Sequence, residues 1–202
     1  MALPKNTDYV GPITRGDSGG QLGGLAVSGL EMITGSCDPW VLLSLGTTLQ
    51  GQIEALPEML AAVASLPVRV LLTLGGVVPV GAADAPPNVT VREFVPHDLV
   101  LPHMAAVISH GGLSTITAAL ASGVPLVCIP QGRDQPLNAA RVEVCGAGRV
   151  VAPKAPATEI ATAVDAVLRD ETARASARRF AAGIAALGGG ERAIAEVEQL
   201  AA

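Results

Sequence analysis

The sequence predicts an α/β fold: a Rossmann-like, doubly wound parallel sheet of about six strands with helices on both faces. Three observations predict it. Short continuous apolar runs, several ending in Gly or Pro, recur between residues 41 and 152, as strands buried on both faces do. Stretches with apolar residues at helical spacing separate several of these runs, and such alternation implies parallel strands joined by right-handed crossovers. The composition is 50% hydrophobic yet only 2% aromatic. That suits Val/Leu strands packed between Ala-rich helices and suits a β-sandwich poorly.

At 202 residues, one core with an appendage is expected. Residues 1–39 read as an interdomain-linker-like segment with a Gly-rich flexible loop. Eight glycines fall between positions 11 and 36, with few charges and no sustained periodicity. Inside this segment residues 15–20 spell RGDSGG. GDSGG surrounds the nucleophilic serine of trypsin-like proteases, and RGD is an adhesion tripeptide. A trypsin-like site needs an all-β fold and a His and an Asp upstream of its Ser, whereas Ser18 precedes every histidine here. Adhesion needs a secreted protein. Ser18 is read as a linker residue.

A domain over residues 40–202 follows. VLLSLG (41–46) is the first strand, and Ile53, Leu56, Leu60 and Val63 then recur at helical spacing, with Pro57 expected in a first turn. VRVLLTLGG (68–76) is the second strand and VTVREF (89–94) a half-buried third. AAVISH (105–110), PLVCIP (125–130) and GRVVA (148–152) are the fourth to sixth, separated by helices at about 113–122 and 134–145. Thr158 is expected to cap a helix carrying Ile160, Val164, Val167 and Leu168 on one face. Two more helical stretches flank Gly188–Gly190, and no internal repeat is present.

Charge and cysteine usage narrow the function classes. A net charge of −5 argues against a basic nucleic-acid-binding surface. No apolar run reaches the roughly 18 residues of a membrane span, and Lys5, Asn6, Thr7 and Asp8 interrupt the start of any signal peptide. Cys37, Cys128 and Cys145 lack metal-type spacing, which points to reduced thiols, a cytoplasmic protein and no metal site.

Ligands of doubly wound sheets sit beyond the carboxyl ends of the strands, so the turns there carry the chemistry. Strand four runs into Ser109-His110-Gly111-Gly112 and a helix starts at once with Leu113-Ser114-Thr115. Glycines let a ligand approach the backbone, and first-turn N–H groups with the helix dipole favour an anion such as phosphate. Ser114, Thr115 and His110 add side-chain donors; alternatively the two hydroxyls only cap the helix and His110 is a core histidine. Strand five runs into Pro130-Gln131-Gly132-Arg133-Asp134-Gln135. Asp134 is able to accept from two adjacent hydroxyls and Gln135 to donate and accept, which suits a sugar ring; helix capping is the other reading of Asp134. No G-x-G-x-x-G follows a strand, which disfavours a Rossmann dehydrogenase.

The stretch EFVPHDLVLPHMAAVISHGGLSTITAALASGVPLVCIPQGRDQPLNAARVEVCGAG (93–148) resembles the donor-binding signature of nucleotide-sugar-dependent glycosyltransferases of the GT-B fold, the family of plant secondary-metabolite and actinobacterial macrolide and glycopeptide glycosyltransferases. The resemblance extends from about Leu3 to the C-terminus, with LPKNTDYVGP similar to the interdomain linker. It implies one half of a GT-B fold. It also implies a diphosphate cradle of His110, Gly111, Gly112, Ser114 and Thr115, faced by Gly46 and Thr47, for which a plain strand-to-helix turn is the alternative. Phe94 matches the aromatic that stacks on the nucleobase, with Val95, Pro96 and His97 at the base edge; the family usually has Gln at position 97, and an exposed loop histidine is the alternative there. Asp134 and Gln135 match the pair that grips the donor sugar. Ala118 stands where many members carry a Glu that binds the ribose, and this departure favours a dTDP-sugar over a UDP-sugar as donor. No further cofactor is implied.

In this family the acceptor and the catalytic base, usually a His, belong to an N-terminal domain, and transfer inverts the anomeric carbon. The resemblance therefore implies the donor half of an inverting enzyme for small natural-product-like acceptors, with no catalytic residue of its own, inactive alone and completed by that missing N-terminal acceptor domain. The alternatives are a natural stand-alone nucleotide-binding subunit of a split enzyme, or a GT-B sugar epimerase relative.

Overall fold

The computed structural model describes residues 7, 9–13, 33, 37–48, 51–76, 78–79, 81 and 84–201. RGDSGG and most of the linker expected over 1–39 lie outside the described residues. The elements in chain order are β1 (Trp40–Ser44), α1 (Gln52–Ala64), β2 (Arg69–Thr73), β3 (Val89–Arg92), α2 (His97–Val100) with a 3₁₀ turn over Leu101–His103, β4 (Ala106–Ser109) and α3 (Leu113–Ala121). Then come β5 (Leu126–Cys128), α4 (Gln135–Val144), β6 (Gly148–Val150), α5 (Ala157–Arg169), α6 (Glu171–Ala186) and α7 (Gly189–Ala201).

All six strands are parallel, in the order β3-β2-β1-β4-β5-β6. The expected doubly wound sheet is present, and period-two alternation within the strands shows why. Val41, Leu43, Val70, Leu72, Ile108 and Val127 pack on one face, with α1 and α5. Trp40, Leu42, Leu71, Val107, Leu126 and Cys128 pack on the other, with α3 and α4. Both faces are apolar, so the central strands β1, β2, β4 and β5 read as nearly continuous runs, whereas the edge strands β3 and β6 are only partly buried; each face needs its own helical layer. Burial pushes the Cys128 thiol up to about 12, so it packs as a small hydrophobe, whereas Cys37 and Cys145 are exposed free thiols.

Three local expectations are corrected and one element is added. The core face of α1 is entered by the buried Gln52 and not by Ile53, which is exposed. The Gln52 amide donates to the carbonyls of Leu45 (3.0 Å) and Thr48 (2.6 Å), so a polar side chain holds the buried position by tying down the loop after β1. Pro57 lies inside α1, a turn later than expected. Its exposed position leaves the carbonyl it cannot bond facing water. Thr158 caps nothing: α5 starts at Ala157, behind Pro156, and the Ala157 N–H donates to the Glu58 carboxylate of α1 at 2.7 Å. Finally, α2 and the 3₁₀ turn after β3 were not legible as a helix in so short a stretch.

Candidate functional site

With this strand order the chain reverses its direction of winding between β1 and β4, and at such a switch point the departing loops open a crevice at the carboxyl edge. A cleft of about 970 Å³ lies there. Of the residues expected at the site, Gly46, Thr47, Phe94, Val95, Pro96, His97, His110, Gly112, Ser114, Thr115, Asp134 and Gln135 all line it, as does Ala118. Gly111 does not. Its N–H donates to Ser109 Oγ (3.2 Å) and its carbonyl accepts from Asn138 Nδ2 (3.4 Å), so Gly111 fastens the turn while its neighbours face the cleft.

His110 is the hub of the crevice. Its ring is wedged between the turn after β1 and the start of α3. A Cβ on Gly46 would strike His110 Cε1, and one on Gly112 would come within 2.5 Å of Nε2. Gly46 is also at φ +75°, which favours glycine independently. Two of the site glycines are therefore required by one imidazole. The ring is buried, and Nδ1 has no hydrogen-bond partner. Burial pushes the His110 pKa below its ordinary value, opposed by the Ser44 backbone beside the ring and by the Asp134 charge. That Ser44 contact favours the charged ring without reaching hydrogen-bonding geometry.

Helix α3 begins at Gly112 with no side-chain cap, and its first intrahelical bond runs from Ile116 N to Gly112 O. Neither Ser114 nor Thr115 serves as a cap, so that alternative fails. The N–H groups of Leu113, Ser114 and Thr115 have no intrahelical acceptor, Ser114 is exposed and Thr115 is buried. Helix starts of this kind favour anions, the dipole contributing about 0.3–1 kcal/mol, up to about 2 when partly buried.

The turn into α4 is built differently. Gln135 Oε1 accepts from the N–H groups of Gln131 (2.8 Å) and Gly132 (3.2 Å), and Gln131 Nε2 donates to the Ile129 carbonyl (2.9 Å). Asp134 stands at the start of α4 but makes no capping bond; its carboxylate accepts from Asn138 Nδ2 at 2.7 Å. Asn138 therefore bridges the turn after β5 to Gly111 after β4. Arg133 adopts φ +55°, the single non-glycine residue with positive φ among those described. At the far side Phe94 is 60% exposed, leaving a ring face open for stacking. His97 is half-buried at the first position of α2 and so is not an exposed loop histidine. Its pKa is pushed down by burial, against the pull of Asp98.

Gln52, Ser109, Gln131 and Asn138 support the site and were missed in the sequence. A lone polar residue inside an apolar helical pattern, directly after a strand and its loop, is the signal that Gln52 and Asn138 offered. Among the described residues, no group of three His, Cys, Asp or Glu is placed to hold a metal, and no helix is long and apolar enough to cross a membrane.

Comparison with known proteins agrees with the fold and gives a family. Residues 57–199 match the family described as erythromycin biosynthesis protein CIII-like, C-terminal domain. The NDP-glycosyltransferase YjiC of Bacillus subtilis (strain 168) is 36% identical over 163 residues, which is 79% of this chain and 41% of that protein. The crystal structure of CalG4, the calicheamicin glycosyltransferase, is similar with a TM-score of 0.74 at 32% identity, covering 82% of this chain and 43% of that one. The glycosyltransferase VinC in complex with dTDP is similar with a TM-score of 0.72 at 25% identity, covering 84% and 45%. The chain thus spans about a third to two fifths of the length of the first curated relatives it matches.

Proposed function

The chain belongs to the erythromycin biosynthesis protein CIII-like C-terminal domain family of natural-product glycosyltransferases, and from that premise we propose that it is the nucleotide-sugar-binding half of an inverting glycosyltransferase. The observation that carries the reading is the crevice at the β1/β4 switch point. An uncapped helix start, a wedged histidine and an exposed aromatic ring meet there in the order that a nucleoside diphosphate needs.

In this reading Phe94 stacks on the base, with the Val95–His97 backbone at its edge. The N–H groups at the start of α3, the Ser114 and Thr115 hydroxyls and His110 receive the diphosphate, with Gly46 and Thr47 opposite. Asp134 and Gln135 meet the sugar. An acceptor hydroxyl, deprotonated by a base in a further half, attacks the anomeric carbon on the face opposite the diphosphate. The bond from that carbon to the phosphate oxygen breaks, and negative charge grows on the leaving diphosphate. The cradle stabilises this charge where it develops, each charge-assisted hydrogen bond adding about 1.5–3 kcal/mol. The 41% coverage of YjiC supports assigning acceptor and base to that further half, so the 202 residues alone are expected to yield no glycoside from nucleotide sugars and an acceptor panel.

Ala118 lines the cleft in α3 without a carboxylate for ribose hydroxyls. A site lacking a hydroxyl's partner does not reject the deoxy analogue, and a similar protein, VinC, is in complex with dTDP; both support dTDP over UDP. The test is calorimetric titration with dTDP and UDP side by side. Binding is expected at about 0.1–1 mM. No binding of either would sink the donor reading, and a tenfold preference for UDP, about 1.4 kcal/mol, would reverse only the choice of base. Ala118→Glu is expected to shift the preference towards UDP.

A further inference from the structure

Arg133 holds a conformation that costs free energy and that glycine would adopt freely. At φ +55° it lies in the left-handed region, which a long side chain enters only where the surroundings over-determine it. They do so here: Gln135 Oε1 holds the N–H groups of Gln131 and Gly132, and Asn138 holds Asp134, one residue on. Strain kept in place by a hydrogen-bonded turn at the rim of a cleft points to use.

The charge around it suggests the use. Arg133 is the sole Lys or Arg lining the cleft among the described residues. It makes no ion pair among them, although Asp134 is adjacent in the chain. The other polar side chains facing the cleft are two carboxylates, Asp98 and Asp134, the Gln135 amide, hydroxyls, and two histidines that burial pushes towards the neutral form. A nucleoside diphosphate entering this cleft meets one permanently charged cation.

We infer that Arg133 is a donor-recognition residue whose guanidinium pairs with the sugar-bearing phosphate of the nucleotide sugar. This rests on the donor reading above and deepens it. The sugar-bearing phosphate is the one concerned because Arg133 directly precedes Asp134 and Gln135, at the sugar end of the cleft. The neighbouring turn lies close by, since a Cβ on Gly111 would come within 3.2 Å of the Gln135 carbonyl.

The experiment titrates the full chain and Arg133→Gly with dTDP and with dTMP, which lacks the second phosphate, the latter measured by displacement. Glycine relieves the backbone strain, so the variant is expected to melt no lower than the unmodified chain, as circular dichroism would show. Its dTDP affinity should fall about tenfold, one charge-assisted contact, while dTMP binding changes less than about twofold. Unchanged dTDP affinity, or equal losses for both nucleotides, would overturn the assignment of Arg133 and leave the donor reading standing. If the unmodified chain binds neither dTDP nor UDP, both fall together.

Discussion

The turn after β4 and the turn after β5 leave neighbouring parallel strands and both lead into helices, yet they treat their polar groups in opposite ways. After β5, Gln135, Gln131 and Asn138 engage N–H groups, a carbonyl and a carboxylate of the turn. After β4, Ser109 Oγ holds the Gly111 N–H but His110 keeps a buried Nδ1 without a partner; neither α3 nor α4 starts with a side-chain cap, so the histidine makes the difference. Buried polar groups are nearly always paired. Trp40 Nε1 and His110 Nδ1 are both exceptions; only His110 lines the cleft, and in the proposed reading an outside group completes its set there. In that reading one turn is the support and the other the binding turn.

The sharpest way to break this contrast is to crowd the open turn. Gly112 has φ −64°, which alanine accepts, so the obstacle to Gly112→Ala is the His110 ring. Overpacking of this kind should cost about 1–3 kcal/mol in urea denaturation and abolish measurable dTDP binding. Adding His110→Ala should restore most of the stability and none of the binding. Single and double variants of equal stability would show that the ring does not fill that space.

A smaller effect is expected in the closed turn. Gln135→Leu removes the acceptor shared by Gln131 and Gly132, and because water reaches those half-buried groups the loss should be about 0.5–1.5 kcal/mol. Stability unchanged within error would mean that the turn is held by something other than these bonds.

The smallest effect is on pH dependence. His97 and His110 have folded pKa values below their ordinary 6.5, so the unfolded chain binds the extra protons first on acidification. Their contribution to stability is present above 6.5 and is lost as pH falls through the folded values. In the proposed reading, bound diphosphate beside His110 favours the protonated ring, as the Ser44 backbone and the Asp134 charge already do. The empty protein should therefore weaken below neutral pH while its affinity for dTDP rises. Stability that improves on acidification over this range would contradict the buried, neutral histidines.

How much of this was legible in the sequence follows the range of each interaction. Strands whose two faces are both apolar announce themselves as runs, and Ser109-His110-Gly111-Gly112 announces a glycine turn into a helix start, because those signals are local. The supports were hidden because their partners are remote. Gln52 looks like a solvent-facing helix residue until the carbonyls of Leu45 and Thr48 are folded over it. Thr158 looks like a cap until Glu58, 99 residues away, proves to hold the first N–H of α5. Arg133 offered no sign of its backbone, since glycine is the residue that signals positive φ.

Calorimetric titration of dTDP or UDP into the unmodified chain and into His110→Ala decides whether the open turn is a diphosphate cradle. The variant loses a buried ring whose Nδ1 is unpaired, so it should melt near the unmodified chain. Its nucleotide affinity should be weaker by about 1–3 kcal/mol, roughly five- to 150-fold. Equal affinity in the two proteins would contradict the cradle and return His110 to the role of a core histidine.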